Sequence, residues 1–205
     1  MNFNDLFSSV SKIKGVGPVI AKKLSDRGIE NKIDLFLNLP IGAIDRRFCP
    51  KLDHLEVGKI STIFVRPVKH YFPRFRNLPN KVVCKDEFGT IDIIFFNSRE
   101  NYIKQILPLD EEVVISGKVV FYKNKFQITN PDYVQSVDKE KDIKKIMAKY
   151  PSVTGISPKT IQKIYKEEID KLKNFKEWHR NKLLEEMKWP TWYEALYNLH
   201  NPTNL

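Results

Sequence analysis

Hydrophobic residues in the first fifty positions recur at helical spacing, in short groups separated by glycine and proline. The first group is Leu6, Val10 and Ile13, and the next two lie within 19–24 and 33–39. Gly15, Gly17, Gly28 and Pro40 interrupt the pattern. The sequence therefore predicts a segment of short helices over residues 1–50.

Residues 51–135 change to alternating and β-branched runs, which is the pattern of half-buried strands. Five strands are predicted, at 61–69, 81–85, 90–96, 112–121 and 125–134. Between the third and the fourth, 99–107 has helical spacing and ends before Pro108. Five strands with one helix in that place are typical of an OB-fold barrel.

The last segment, 136–205, returns to helical patterns. A charged helix or linker is expected over 138–149, and Ser157-Pro158 has the form of an N-cap followed by proline in the first turn of an amphipathic helix. Two further short helices are predicted at 181–187 and 191–199. The expected fold class is α+β: helix-hairpin-helix-like helices, a five-stranded OB-fold barrel and a C-terminal helical extension.

Charge and composition narrow the functions to consider. Lys and Arg number 35 against 25 Asp and Glu, a net charge of +10, and 41% of the residues are hydrophobic, enough for a folded core. The chain has 27 Lys, 21 Ile and 15 Asn, a set that AT-rich codons enrich together, so the charge alone is weak support for nucleic-acid binding.

No stretch suits a membrane span or a secretory signal, and we expect a cytoplasmic protein without a membrane partner.

A glycine-rich turn is the sharpest local motif. Gly15 and Gly17 precede a predicted helix, and Lys14, Lys22 and Lys23 surround the turn. Such a helix-hairpin-helix motif presents backbone N–H groups to a DNA phosphate without contacting base edges. The alternative is a tight turn with glycine at a helix cap.

Aromatic residues in the predicted barrel form a second motif. Phe95 and Phe96 are consecutive on one strand and must face opposite sides, so one ring is left outside, where it could stack on an unpaired base. The first barrel loop adds Arg74, Phe75 and Arg76, in a place where OB folds commonly hold nucleic acid. Alternatively, the aromatic residues of this loop cover the mouth of the barrel.

The sequence offers no catalytic site, metal site or cofactor motif. Gly58-Lys59 and Gly117-Lys118 lack the earlier glycine of a phosphate-binding loop, and the four histidines lack the spacing of metal ligands. Cys49 and Cys84 lie far apart, so we expect reduced thiols. No nucleotide hydrolysis by this chain alone is expected.

Taken in order, these segments resemble the N-terminal wedge region of RecG branched-DNA helicases. The resemblance rests on Lys14–Pro18, Asp45-Arg46-Arg47, Phe95-Phe96-Asn97, Ser116–Val119, Asn130–Tyr133, Thr154–Ser157 and Leu199–Pro202. Two positions depart from the family pattern: Ile44 replaces an aromatic residue, and the spacing from Asn97 to Tyr102 is longer than in the family.

The resemblance implies a wedge that sits at replication forks and Holliday junctions during recombination and repair. It implies that Phe96, together with Tyr102, caps or stacks on the base pair at the branch point. ATP-driven motor domains follow the wedge in that family. Here they would be supplied beyond Leu205 or by a separate chain, so the resemblance implies a helicase motor in cis or in trans as a partner.

The leading hypothesis is thus a non-catalytic module that binds branched DNA. Two alternatives stay open: an OB-fold adaptor that binds protein, and a general binder of single-stranded nucleic acid. If the chain binds DNA, its affinity for DNA should fall steeply as the salt concentration rises. A protein-binding adaptor would show no such salt dependence.

Overall fold

The computed structural model of the chain describes residues 3–75 and 78–204. They form two compact units, one from Asp45–Lys145 and one from Met1–Ile44 together with Ile146–Leu205. In chain order the elements are α1 (Phe3–Leu6), α2 (Pro18–Ser25), α3 (Lys32–Leu37), β1 (Gly42–Asp45), β2 (Ile60–Tyr71), β3 (Asn80–Lys85), β4 (Thr90–Phe95), α4 (Glu100–Ile106), β5 (Val113–Tyr122), β6 (Lys125–Thr129), β7 (Tyr133–Ser136), α5 (Glu140–Ile143), β8 (Ile146–Lys149), α6 (Pro158–Ile169), α7 (Asn181–Met187) and α8 (Trp192–His200).

Asp45–Lys145 contains a closed five-stranded barrel. The strands β2, β3, β4, β6 and β5 are neighbours in that order, and β5 pairs back with β2. All pairs are antiparallel except β4 with β6, which run parallel. The helix α4 lies between β4 and β5 in the chain. This is the OB-fold order that the sequence predicted, and the α+β fold class is confirmed.

Alternate residues of the strands fill the barrel. Ile91, Ile93 and Phe95 of β4 are buried together with Ile63, Val82, Ile115 and Ile128 from the neighbouring strands. The helix α4 adds Ile103 and, just beyond its end, Leu107 to the same core. Burial raises the pKa of Cys84 to about 12, so this thiol is a neutral apolar group of the barrel interior.

The predicted fifth strand, 125–134, was wrong in one respect: the structure divides it. The strand β6 ends at Thr129, and β7 begins at Tyr133 and pairs with β5. Asn130 has a left-handed backbone with φ of 44°, and Pro131 has no N–H for a ladder, so the strand breaks at these two residues. The turn places Asn130 beside the end of β4.

The second unit is helical and combines both ends of the chain. Its buried residues come from both parts: Leu6, Val10, Leu24, Leu35 and Phe36 from the first, and Ile161, Tyr165, Ile169 and Leu196 from the second. The helix α6 begins as the sequence predicted, since the Ser157 hydroxyl accepts a hydrogen bond from the Thr160 N–H and Pro158 follows the cap. The division into 1–50, 51–135 and 136–205 stays a prediction about domains.

The charged helix or linker that the sequence predicted over 138–149 is only partly helical. The helix α5 ends at Ile143, and the strand β8 follows it and pairs with β1 in a two-stranded sheet, which was not predicted. Ala148 and Met147 are buried although the surrounding sequence is highly charged. A four-residue strand is too short for its alternation to stand out in sequence.

Candidate nucleic-acid interface

Phe95 and Phe96 take opposite sides at the end of β4. Phe95 is 4% exposed and belongs to the barrel core, whereas Phe96 is 48% exposed. A side chain fixed inside the barrel has no face left for a base. Of the two rings that the sequence proposed for DNA contact, the structure leaves only Phe96 accessible.

The backbone that carries Phe96 is held by a hydrogen-bonded turn. The Phe96 N–H donates to Oδ1 of Asn130 at 2.9 Å, and the Asn130 N–H donates to the Ile94 carbonyl at 2.7 Å. The next residue, Asn97, has φ of 58°, a left-handed conformation that asparagine tolerates better than most residues. Phe96 is therefore an exposed ring on a fixed backbone.

The chain beyond Phe96 is also fixed. Nδ2 of Asn80 donates to the Ser98 carbonyl at 2.8 Å, and α4 begins two residues later. Tyr102 lies in the first turn of α4 and is 53% exposed, while the next residue, Ile103, is fully buried. Both aromatic residues that the family resemblance singled out are thus accessible at the connection between β4 and α4.

The loop from β2 to β3 lies at the same end of the sheet, since Asn80 at its close pairs with Phe95. Phe72 packs on the barrel core, its ring stacked on His70 with centroids 5.5 Å apart. Phe75 is 74% exposed and Arg74 is exposed. The Phe72 ring therefore packs against the barrel, whereas the Phe75 ring is exposed to solvent. Arg76 lies outside the described residues.

A buried arginine anchors the turn that contains Asn130. Arg46 donates to Oγ of Ser116 at 3.0 Å and to Oδ2 of Asp132 at 2.9 Å, and its guanidinium lies 4.9 Å from the Tyr133 ring centroid. The side chain of Arg46 is only 4% exposed. Arg47, in contrast, is exposed and pairs with Asp45 at 2.7 Å. Arg46 is thus a structural residue of the barrel.

The glycine-rich turn lies in the helical unit. Gly15 has φ of +87°, which only glycine adopts easily, and Gly17 is the N-cap of α2. Lys14 and Lys22 are exposed, whereas Nζ of Lys23 donates to the Gly155 carbonyl at 3.0 Å. The first helix of the expected hairpin is a single 3-10 turn, Val10–Lys12. The predicted site residues are therefore divided between the two units.

Sequence reasoning missed the role of Asn130 at this site. The Asn130-Pro131 pair after a strand marks a turn, but that pattern does not show that the side chain reaches the Phe96 amide, 34 residues away.

Within residues 3–75 and 78–204, no helix is long and apolar enough to cross a membrane.

Comparison with known proteins gives consistent results. Residues 9–172 match the RecG wedge domain family. An ATP-dependent DNA helicase RecG from Thermotoga maritima is 31% identical over 204 residues, which are 97% of this chain and 26% of that protein. A solved structure of RecG bound to a three-way DNA junction superposes with a TM-score of 0.84 at 30% identity, covering 98% of this chain and 28% of that one. The chain thus spans about a quarter of these relatives.

Proposed function

Because the chain belongs to the RecG wedge domain family, we propose that it binds branched DNA and that Phe96 stacks on the base pair at the branch point. The relative captured on a three-way DNA junction supports this proposal, since the superposition covers nearly all of this chain. The role extends to replication forks and Holliday junctions in recombination and repair. An ATP-driven motor, in cis or in trans, would draw the strands past the wedge in the cytoplasm.

One observation carries the proposal: Phe96 is a half-exposed aromatic ring on a backbone that Asn130 fixes. At a junction the terminal base pairs of the arms have an uncovered face, and a flat apolar ring covers such a face at a gain of ~1–3 kcal/mol per base. A ring on a fixed backbone loses little conformational entropy when it stacks. The rigid turn therefore suits a wedge better than a mobile loop would.

Exposed positive charge in each of the two units would hold the sugar-phosphate backbone. Arg74 and Phe75 are exposed in the loop at the same end of the barrel, and Tyr102 is exposed at the start of α4. In the helical unit, Lys14 and Lys22 flank a turn whose N–H groups could bind a phosphate. Lys23 contributes less, because its ammonium group already binds the Gly155 carbonyl. These contacts would add affinity without sequence preference.

The test is fluorescence anisotropy with a labelled three-way junction, a duplex and a single strand, each at two salt concentrations. The wild type should prefer the junction, with binding that weakens steeply as salt rises. Phe96→Ala should lower junction affinity about tenfold while duplex affinity stays unchanged. Phe88→Ala is the matched control, since Phe88 is 53% exposed in the turn between β3 and β4, at the opposite end of these strands.

Equal affinity of the wild type for all three DNAs would overturn the junction-binding proposal and favour a general binder of nucleic acid. Absence of DNA binding at moderate salt would favour the protein-binding adaptor. If the Phe96→Ala variant still prefers the junction, the proposal that the chain binds branched DNA stands, but Phe96 does not cause the preference.

A further inference from the structure

A cavity of about 130 Å³ lies in the helical unit, where the segment that follows α6 meets the beginning of α8. Aromatic rings and two lysines contribute most of its lining: Lys173, Phe175, Lys176, Trp178, Trp192 and Tyr193. The sequence motifs include none of these residues, and the proposed function uses none of them. The cavity is therefore a candidate site of its own.

The rings of the cavity pack against each other, but one of them stays half uncovered. The ring centroids of Trp178 and Trp192 are 4.7 Å apart, and Phe175 meets Trp178 edge to face at 5.6 Å. Trp178 is nevertheless 48% exposed. Because a cavity of ~150 Å³ holds one benzene ring, the space beside these rings suits a single six-membered ring. It is too small to enclose two fused rings.

The lining has an excess of positive charge. Lys173 and Lys176 are exposed, and neither forms an ion pair with a described residue. Glu177, the acidic residue of the lining, is already engaged, since Oε1 accepts the His179 N–H at 2.9 Å and Oε2 accepts the Trp192 N–H at 2.6 Å. The two ammonium groups therefore lack an anionic partner, which a ligand would supply.

The first turn of α8 adds a backbone donor to the cavity. The Trp192 N–H binds Glu177, and the Glu194 N–H binds Oγ1 of Thr191 at 3.2 Å. Between them, the N–H of Tyr193 donates to no acceptor among the described residues. An open N–H at a helix N-terminus, where the helix dipole is positive, favours an anion beside the two lysines.

We propose that this cavity binds a pyrimidine nucleoside monophosphate, with the base against Trp178 and the phosphate held by Lys173 and Lys176. The ligand is either a free nucleotide or the nucleotide at the 5′ end of a DNA strand, since both present the same ring and phosphate. The proposal does not rest on junction binding, because Phe96 and the turn that holds it belong to the barrel.

Hydrogen-bond donors at the cavity favour a base over the phenyl ring of a protein side chain. The Tyr193 hydroxyl and the Trp192 indole N–H donate to no acceptor within the part of the chain that the structure describes. The carbonyl oxygens of a pyrimidine accept hydrogen bonds from such groups, whereas a phenyl ring would leave them unpaired. The size of the cavity predicts that purine nucleotides bind more weakly than pyrimidine nucleotides.

The test is nitrogen-15 NMR spectroscopy of the whole chain, in which the indole N–H signals of the three tryptophans are followed as thymidine 5′-monophosphate is added. The signals of Trp178 and Trp192 should shift and reach saturation, whereas that of Trp189, which does not line the cavity, should stay in place. Replacement of each tryptophan by phenylalanine assigns the three signals. Thymidine, which lacks the phosphate, should bind about tenfold more weakly. Deoxyadenosine 5′-monophosphate should also bind more weakly, because its base is too large.

The lysines and the exposed ring have their own readouts. Lys173→Gln and Lys176→Gln should each weaken binding of the monophosphate several-fold and leave binding of thymidine unchanged, since each removes one charge from the phosphate site. Lys166→Gln is the matched control, because Lys166 is an exposed lysine of α6 that does not line the cavity. Trp178→Leu should lower affinity for the monophosphate about tenfold. If far-UV circular dichroism shows that this variant does not fold, the lysine variants still test the site.

A 5′-phosphorylated thymidine dinucleotide distinguishes the two sources of the ligand. If it shifts the same two indole signals, the site takes the end of a strand; if only the mononucleotide does so, the site takes the free nucleotide.

Three results would overturn the proposal. The first is that no indole signal shifts, and the second is that inorganic phosphate alone produces the same shifts. The third is that N-acetylphenylalanine binds as tightly as the mononucleotide, which would assign the cavity to an aromatic residue of a protein partner. None of these results bears on the wedge, which the Phe96→Ala experiment tests separately.

Discussion

The backbone N–H of Phe96 donates a hydrogen bond to the side-chain oxygen of Asn130, at 2.9 Å across 34 residues of chain. Asn130 is itself held by its own N–H, which binds the Ile94 carbonyl, and by the Arg46–Asp132 pair two residues further on. The backbone of Phe96 is thus hydrogen-bonded to a turn whose next residues include Asp132, the partner of a buried arginine. The position of Phe96 is therefore fixed by contacts within the barrel.

Replacing Asn130 tests that relationship. Asn130→Gly keeps the left-handed backbone accessible but removes the acceptor of the Phe96 N–H. Because this N–H is exposed and water can replace the asparagine, we expect a loss of only about 1 kcal/mol in the free energy of unfolding. Junction affinity should fall several-fold, since Phe96 would then be ordered only on binding.

Asn130→Asp is the matched variant, because it keeps an acceptor oxygen and tolerates a positive φ. It should retain the junction preference to a greater degree than Asn130→Gly, as measured by the ratio of junction to duplex affinity. Equal junction preference in wild type and Asn130→Gly would show that the hydrogen bond does not position Phe96.

Gly117 is a second position where the structure makes a sharp prediction. A Cβ built on Gly117 would lie 2.6 Å from Cγ2 of Ile128 and 3.3 Å from Cα of Pro131. Gly117→Ala must therefore displace the β6 core or the turn at Pro131, and we expect a destabilisation of about 1–3 kcal/mol in urea unfolding followed by far-UV circular dichroism.

Gly89→Ala is the control for this change, since its nearest neighbour would be Cβ of Leu52 at an ordinary 3.5 Å. It should alter the free energy of unfolding much less than Gly117→Ala. Similar effects of the two substitutions would mean that the close packing at Gly117 is not a constraint on the barrel.

His200 should make the stability of the helical unit depend on pH. Nε2 of His200 lies 3.0 Å from the Phe36 carbonyl, and Nδ1 lies 2.7 Å from the Tyr150 hydroxyl. Burial lowers the pKa of His200 below its ordinary value, although the hydrogen bond to the Phe36 carbonyl partly opposes this. The folded unit therefore favours the neutral ring more than the unfolded chain does.

The direction in which stability changes with pH follows from proton binding. Above the unfolded pKa of about 6.5, both states hold a neutral ring and the contribution to stability is complete. Below that pH the unfolded chain takes up the proton first, so the free energy of unfolding falls until the folded pKa is passed.

The three tryptophans, Trp178, Trp189 and Trp192, all lie in the helical unit, and their fluorescence reports its unfolding.

Urea unfolding at about pH 7.5 and about pH 5.5 should show a larger loss of stability on acidification in the wild type than in His200→Gln. The comparison removes the contributions of the other histidines, which both proteins share. The same pH dependence in both proteins would contradict the assignment of the titration to His200.

The barrel could be predicted because each of its strands buries one side, so alternation along the chain marks it. Ile91, Ile93 and Phe95 show this pattern in β4, and the Gly and Pro residues between strands mark the turns. The break at Asn130-Pro131 escaped prediction because the residues on both sides continue a strand-like pattern. The strand β8 escaped because it is short and follows a charged run.

The site could be predicted only in part, because alternation along the chain limits which residues face outward but does not show which residues meet. Alternation required one of two consecutive phenylalanines to face outward, but only the register of β4 decides that it is Phe96. Asn130 reaches the Phe96 amide from 34 residues away along the chain, across the junction of β4 and β6. Such contacts depend on tertiary register, which hydrophobic periodicity does not contain.

The most direct measurement of the central claim places 2-aminopurine in the base pair at the branch point of a three-way junction and follows its fluorescence as protein is added. Stacking of Phe96 should quench the probe at saturation with the wild type, whereas Phe96→Ala should bind at higher concentration without that quenching. A probe one helical turn into an arm should not respond to either protein. Equal quenching at the branch point by wild type and Phe96→Ala would contradict the account.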